Sequence, residues 1–172
     1  MHDFNSNKRK RILKHGHQID ILPDNSFPLI AWHPSGNILS TFYEKKGKIV
    51  WLTYNVKTNE KSKSKLFQFE KVLDASYSGN GKKIAMSAVV NGKTDVYVFD
   101  VNSRSQEQLT NDFYDDRNPV FINNDSKIIF SSNRLNDSMR VDGQMNYIYQ
   151  HNHDLFQYDY EGKGGFKYKP QV

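Results

Sequence analysis

The chain has 172 residues, a formal net charge of +5 and no cysteine, which excludes disulfides and thiolate-held metals. It carries 11 Phe, 10 Tyr and 2 Trp but no long alanine- and leucine-rich run, a mix suited to half-buried pleated strands rather than helices. No stretch approaches the ~20 apolar residues of a membrane-spanning helix, so no transmembrane segment is expected. The basic N-terminus also lacks the apolar core of a secretory signal; a signal for an exported protein would lie outside this chain.

In chain order, residues 1–26 read as a basic outer strand, "KRKRIL", followed by a connector. Residues 27–70 open with an aromatic and a turn, "AWHPSGN", and continue through an apolar strand, "ILSTFY". A third strand, "IVWLTY", and a shorter polar one around "SKLFQF" complete this unit. Residues 71–113 repeat the order with "SYSGNGKKIAMSAVV", "DVYVFD" and "QEQLT". Residues 114–162 repeat it again with "VFINNDSKIIFSSNR" and "DLFQYD", interrupted by an insertion at 135–153. Residues 163–172 fit no strand of the repeat and read as a tail.

Two elements share one phase. Trp32, Tyr77 and Phe121 precede the turns at intervals of about 45 residues. Ile38, Ile84 and Ile128 open the strands that follow, and Asp3, Asn55, Asp100 and Asp159 recur at a second fixed place. Pro, Gly, Asn and Asp in "HPSGN", "SGNGK" and "NNDSK" supply the preset or positive φ that tight turns need. Four short strands in about 45 residues make a propeller blade, whose inner strands are apolar on both faces because neighbouring blades cover them. The expected fold is all-β: an incomplete β-propeller of about three four-stranded antiparallel blades plus an edge strand. A closed propeller needs about four to eight blades. The chain is therefore expected to be a slice of a longer protein with one blade face open, paired with the missing blades of its parent chain or with a second copy.

The pattern in "DDRNPVFINNDSKIIFSSNR", "AWHPSGN", "DVYVFDVNS" and "EQLTND" resembles the TolB-type WD-repeat-like β-propellers, over most of residues 1–162. Blade 1 departs from it by lacking the acid before its third strand, and blade 3 by its insertion. The resemblance implies a non-catalytic scaffold for protein–protein interaction in a bacterial cell envelope or periplasm. Similar propellers also precede the catalytic domain of prolyl-oligopeptidase-like serine peptidases, so an accessory propeller gating substrate access is the alternative reading.

Candidate chemistry is sparse. His15 with His17, and His151 with His153 and Asp154, have the i, i+2 spacing of a strand face but lack further ligands at a recognisable spacing. "SGNGKK" lacks the other residues of a phosphate-binding loop and reads as a turn. "NNDSK" and "YDDRN" lack the spacing of a calcium loop, and Asp115 and Asp116 are expected to cap the turn entering Pro119. No Gly-x-Ser-x-Gly elbow is present, and no acid stands in an apolar context that predicts a raised pKa. No catalytic residue, cofactor or metal is therefore expected.

Two features remain. The basic runs Lys8, Arg9, Lys10, Arg11 and Lys61, Lys63, Lys65 would suit a polyanion, a second alternative function, or guard edge strands against pairing. Nucleic acid is not the expected partner, because the neighbouring aromatics follow core periods. The insertion mixes Met139, Arg140, Met145, Tyr147 and Tyr149 in a loop of the kind that repeat proteins use to bind partners.

Overall fold

The repeated order of aromatic, turn and apolar strand folds, in a computed structural model, into three four-stranded antiparallel sheets. The structure describes residues 2–3, 7–13, 28–134, 153–162 and 166–168, and no helix occurs among them. A two-residue ribbon comes first, β1 (His2–Asp3) against β2 (Lys8–Arg9). Blade 1 contains β3 (Leu29–Trp32), β4 (Ile38–Glu44), β5 (Ile49–Asn55) and β6 (Lys61–Leu66). Blade 2 contains β7 (Lys71–Tyr77), β8 (Lys83–Val90), β9 (Lys93–Asp100) and β10 (Gln106–Gln108). Blade 3 contains β11 (Asp116–Ile122), β12 (Lys127–Ser132), β13 (Asp154–Asp159) and β14 (Phe166–Tyr168). Every sheet is a meander in chain order. The first strands β3, β7 and β11 lie beside one another in sequence, as inner strands do around a propeller axis.

Registers confirm one repeat and correct another. Trp32 pairs with Leu39, Tyr77 with Ile84 and Phe121 with Ile128, so the three aromatics hold equivalent places. Leu39, not Ile38, is the counterpart of Ile84 and Ile128. Ile38 instead stands opposite Asn55, as Lys83 does opposite Asp100 and Lys127 opposite Asp159. Two adjacent apolar residues leave the phase of a period-two strand open, and only pairing fixes which face each takes. The recurrent Asn55, Asp100 and Asp159 have a shared task. Each side-chain Oδ1 accepts backbone N–H groups of the following turn: Lys57 and Thr58, Asn102 and Ser103, and Gly162.

The end of blade 3 also differs from the expected tail. Phe166–Tyr168 pairs with Tyr158–Phe156 as the fourth strand, beyond the expected boundary at residue 162. Six residues separate β13 from β14, one more than separate the third and fourth strands of blades 1 and 2, and the glycine-rich "EGKGG" among them hid a three-residue strand in the sequence.

Burial comes mainly from stacking the sheets. Phe42, Trp51, Leu66 and Phe69 of the blade 1 side pack against Ile84, Met86, Tyr97 and Phe99 of blade 2. The opposite face of blade 2, Ala85, Val96 and Val98 with Leu109, meets Phe121, Ile128, Phe130 and Phe156 of blade 3. Small residues on one side receive rings from the other, which keeps the seam dense. Polar ties fix the alignment. Trp51 Nε1 donates to Ser40 Oγ at 2.9 Å, and Ser40 Oγ lies 2.7 Å from the Tyr77 hydroxyl across the first seam. Across the second, Gly79 and Asn80 N–H groups donate to the Asp125 carboxylate at 2.6 and 3.0 Å. Gly81 holds the place in blade 2 that Asp125 holds in blade 3, and it too touches the preceding turn: a Cβ there would run into the His33 ring.

The third cluster lies on the face of blade 1 turned away from blade 2. Tyr43, Val50, Leu52 and Tyr54 are buried there, with Ile12 and Leu13 packed against them. On the same face Trp32 is 52% exposed, whereas its counterpart Phe121 is 9% exposed beneath blade 2.

Candidate functional site

The densest group of ionisable side chains is enclosed in the second seam. Asp95 opens the core of β9, Asp112 lies in the connection from β10 to β11, Asp116 begins β11, and Arg134 follows β12. Carboxylate oxygens of the three acids lie within 4.8 Å of one another. Arg134 Nη2 donates to both oxygens of Asp116 at 2.8 and 2.7 Å and lies 3.1 Å from Asp112 Oδ2. Its Nε donates to Ser132 Oγ at 2.9 Å, and the rings of Tyr114, Phe130 and Phe156 surround the guanidinium at 5.4–5.5 Å. The side chains of Arg134, Asp112 and Asp116 are all 0% exposed.

The cluster is acid-rich, and its titration follows from that. Burial first, and then the neighbouring Asp112 and Asp116 carboxylates, push the Asp95 carboxyl up to about 6. N–H and O–H donors from Asp112, Thr110 and Gln108 oppose the shift. Asp112 and Asp116 are also raised, again by burial first, with Arg134 pulling both back toward ionisation. The expectation that no acid here has a raised pKa is therefore corrected. So is the expected capping role of Asp116, which is buried in an ion pair, while the Asp115 N–H donates to Asn133 Oδ1 at 2.8 Å. Sequence reasoning missed the cluster because its members are separated by up to 39 residues and each acid follows a polar residue, Thr94, Asn111 or Asp115.

A pH dependence of stability follows. Asp95 binds its proton more tightly folded than unfolded, so folding takes up a proton between about pH 4 and 6. Stability contributed by this group is thus highest at acid pH and falls as pH rises through that window, and the raised Asp112 and Asp116 act in the same direction. Asp95→Asn is expected to flatten the slope and to stabilise the chain at pH 7 by about 1–2 kcal/mol. Urea titrations at a series of pH values measure both quantities; an unchanged slope would contradict the assignment.

Of the residues singled out in the sequence, Met139, Arg140, Met145, Tyr147 and Tyr149 lie outside the described residues. His15, His17 and His151 do so too, and His153 is exposed. The two basic runs converge. Lys61, Lys63 and Lys65 pair with Tyr54, Leu52 and Val50, which places all three on one face of β6. Lys61 Nζ donates to the Ile12 carbonyl at 2.7 Å, Lys10 Nζ donates to Asn59 Oδ1, and both amino groups lie over the Tyr54 ring. Arg9, Lys10 and Arg11 are exposed beside them, and Lys8 lies on β2.

Blade geometry and seams can now be set against known proteins. No family model matches the sequence, and no curated protein matches it. Among solved structures, TolB from Acinetobacter baumannii superposes with a TM-score of 0.62 at 18% identity, covering 81% of this chain and 31% of that one. A protein assigned as TolB from Agrobacterium tumefaciens gives 0.60 at 15% identity, covering 87% and 50%. The fold is that of a TolB-like β-propeller. An acylaminoacyl peptidase from Pyrococcus horikoshii gives 0.54 at 12% identity, covering 84% of this propeller chain and 25% of that one. The chain thus spans half or less of the length of each of these structures. Among the described residues no helix is long and apolar enough to cross a membrane.

Proposed function

We propose that this TolB-like propeller chain is a non-catalytic scaffold that works by protein–protein contact in a bacterial cell envelope. The observation that carries the reading is the exposed far face of blade 1. Trp32 and Ile30 stand 52% and 66% exposed, where the equivalent aromatics of blades 2 and 3 pack against a neighbouring blade. Large apolar groups left open beside a buried cluster mark an interface, and a protein of propeller type, either further blades or a second copy, has the matching shape. The buried acid cluster supports the same reading. Its carboxylates are committed to Arg134 and to backbone donors in the seam, where a substrate has no access. The envelope setting rests on the resemblance to TolB-type propellers.

The test is multi-angle light scattering of the chain at increasing concentration, beside a photo-crosslinker placed at position 32 in a bacterial envelope extract. A concentration-dependent dimer, or a discrete protein adduct, is expected, and the pair Ile30→Ser and Trp32→Ser is expected to abolish it. A chain that stays monomeric and gives no adduct would overturn the proposal.

A further inference from the structure

The outer edges of the three blades are not alike. β10 and β14 have three residues each, whereas β6 has six, Lys61–Leu66. Short outer strands leave little backbone for another chain to pair with. β6 leaves more, because it bonds on one side to β5 and is the last strand of its sheet. The Asn55 N–H donates to the Glu60 carbonyl at 2.9 Å, which makes those two a hydrogen-bonded pair. Such pairs alternate along an antiparallel ladder, so the next are Thr53 with Ser62 and Trp51 with Ser64. Blade 2 keeps the same alternation, with the Asp100 N–H on the Ser105 carbonyl and the Leu109 N–H on the Val96 carbonyl. The N–H and C=O groups of Lys61, Lys63 and Lys65 therefore point away from β5, toward the open edge. Among the described residues nothing bonds to them there.

The charge along this edge is nearly all of one sign. Residues 2–3, 7–13 and 56–66 hold eight Lys and Arg against two acids, Asp3 and Glu60. Lys61, Lys63 and Lys65 are exposed on one face, and the Ile12 carbonyl bonded to Lys61 brings exposed Arg9, Lys10 and Arg11 beside them. The flanking acids are turned elsewhere. Glu60 lies in the turn before β6 and accepts from Thr58 Oγ1 at 2.8 Å. Past the other end, Glu44 stands in the row of Ile49 and Leu66, on the opposite face from Lys65. Glu70 accepts from the Asn91 N–H of blade 2 at 2.9 Å. No carboxylate of the described residues forms an ion pair with Lys61, Lys63 or Lys65.

We propose that β6 takes up an acidic, extended segment of a partner protein as a fifth strand of blade 1. Side chains of a strand return to one face at every second residue, so acids at alternate positions of the incoming strand meet Lys61, Lys63 and Lys65 one for one. The open N–H and C=O groups of the same three residues supply the backbone bonds. The lysines also repel the β6 of a second copy, which keeps like edges apart. A nucleic acid could use the charge but not the backbone edge. Of the rings beside the lysines, Tyr54 is 1% exposed and Phe67 stands past the end of the strand, so no row of bases can stack.

Titration of the whole chain with a synthetic peptide alternating glutamate and threonine, followed by NMR, tests this. At low salt and saturating peptide, hydrogen exchange at the Lys63 and Lys65 amides is expected to slow about tenfold or more. Ser62 and Ser64, already bonded to β5, should change little. A block peptide, all its glutamates before all its threonines, has the same charge in the wrong phase and is expected to bind about fivefold more weakly. Lys63→Gln with Lys65→Gln should weaken the alternating peptide by about fivefold as well. Both positions are exposed, and unchanged circular dichroism checks folding. Equal binding of the block peptide, or binding without protection at Lys63 and Lys65, would overturn the proposal in favour of diffuse charge attraction. Tighter binding of an oligothymidylate would overturn it in favour of nucleic acid. No binding of the alternating peptide would also overturn it, and would leave the lysines as guards of the edge. Ile30 and Trp32, where the scaffold reading is tested, lie on the inner strand β3, so each proposal can fail alone.

Discussion

Replacing Arg134 by methionine is expected to destabilise the chain by about 3–5 kcal/mol, because it strands buried carboxylates without their counter-charge. Such a loss is a large share of the ~5–15 kcal/mol that holds a domain folded. The guanidinium touches Asp112 and Asp116 directly and packs among three rings, so methionine keeps much of its volume but none of its hydrogen bonds. Lysine would not substitute, since one ammonium cannot reproduce the planar fork that serves Asp116, Asp112 and Ser132 together. The acids make the prediction specific. With all three carboxyls already raised, the penalty of Arg134→Met should shrink as pH falls toward 4, where protonation removes the stranded charge. Adding Asp112→Asn and Asp116→Asn should recover part of the loss at pH 7. Urea denaturation followed by circular dichroism measures each variant; a penalty independent of pH would mean that packing, not charge, makes Arg134 indispensable.

What the sequence made legible was the local and periodic part of the structure. Tyr77 and Phe121 read as equivalent because a turn of fixed length separates each from an apolar strand, and Ile84 and Ile128 duly pair with them. Asn55, Asp100 and Asp159 were visible as a repeated place, although their work as turn caps emerged only from the backbone geometry. The ambiguity at Ile38 and Leu39 needed pairing to resolve it, since both are apolar and adjacent. The Arg134 cluster was illegible for another reason. Asp95, Asp112, Asp116 and Arg134 meet only when blade 3 stacks on blade 2, and no local periodicity records which polar residues a seam will enclose. "SSNR" and "NDFYDD" carried the members, but an arginine after a strand and acids around a turn have solvated readings until the stacking is known. Phe67 escaped likewise, because "SKLFQF" reads as one strand until β6 ends at Leu66 and burial separates Phe67 from Phe69.

The first seam gives the second large effect. Phe99→Ala is expected to cost about 3–5 kcal/mol, the range for deleting a fully buried ring. Phe99 is 0% exposed and meets Trp51 edge-on, with ring centroids 5.3 Å apart. Removal therefore opens a cavity against the indole that also holds Ser40 and, through it, Tyr77. In a Trp32→Phe background the remaining Trp51 reports this site alone, and its emission should shift to the red as water gains access. Stacked repeats derive much of their cooperativity from such interfaces. Weakening one seam while Phe121, Ile128, Phe130 and Phe156 keep the other intact should therefore split the unfolding transition. Trp51 fluorescence, reporting blade 1, should be lost at lower urea than the circular dichroism of blades 2 and 3. Coincident transitions with the full loss of stability would instead mean that the three blades fold as one unit, with the Arg134 seam too weak to hold two of them together.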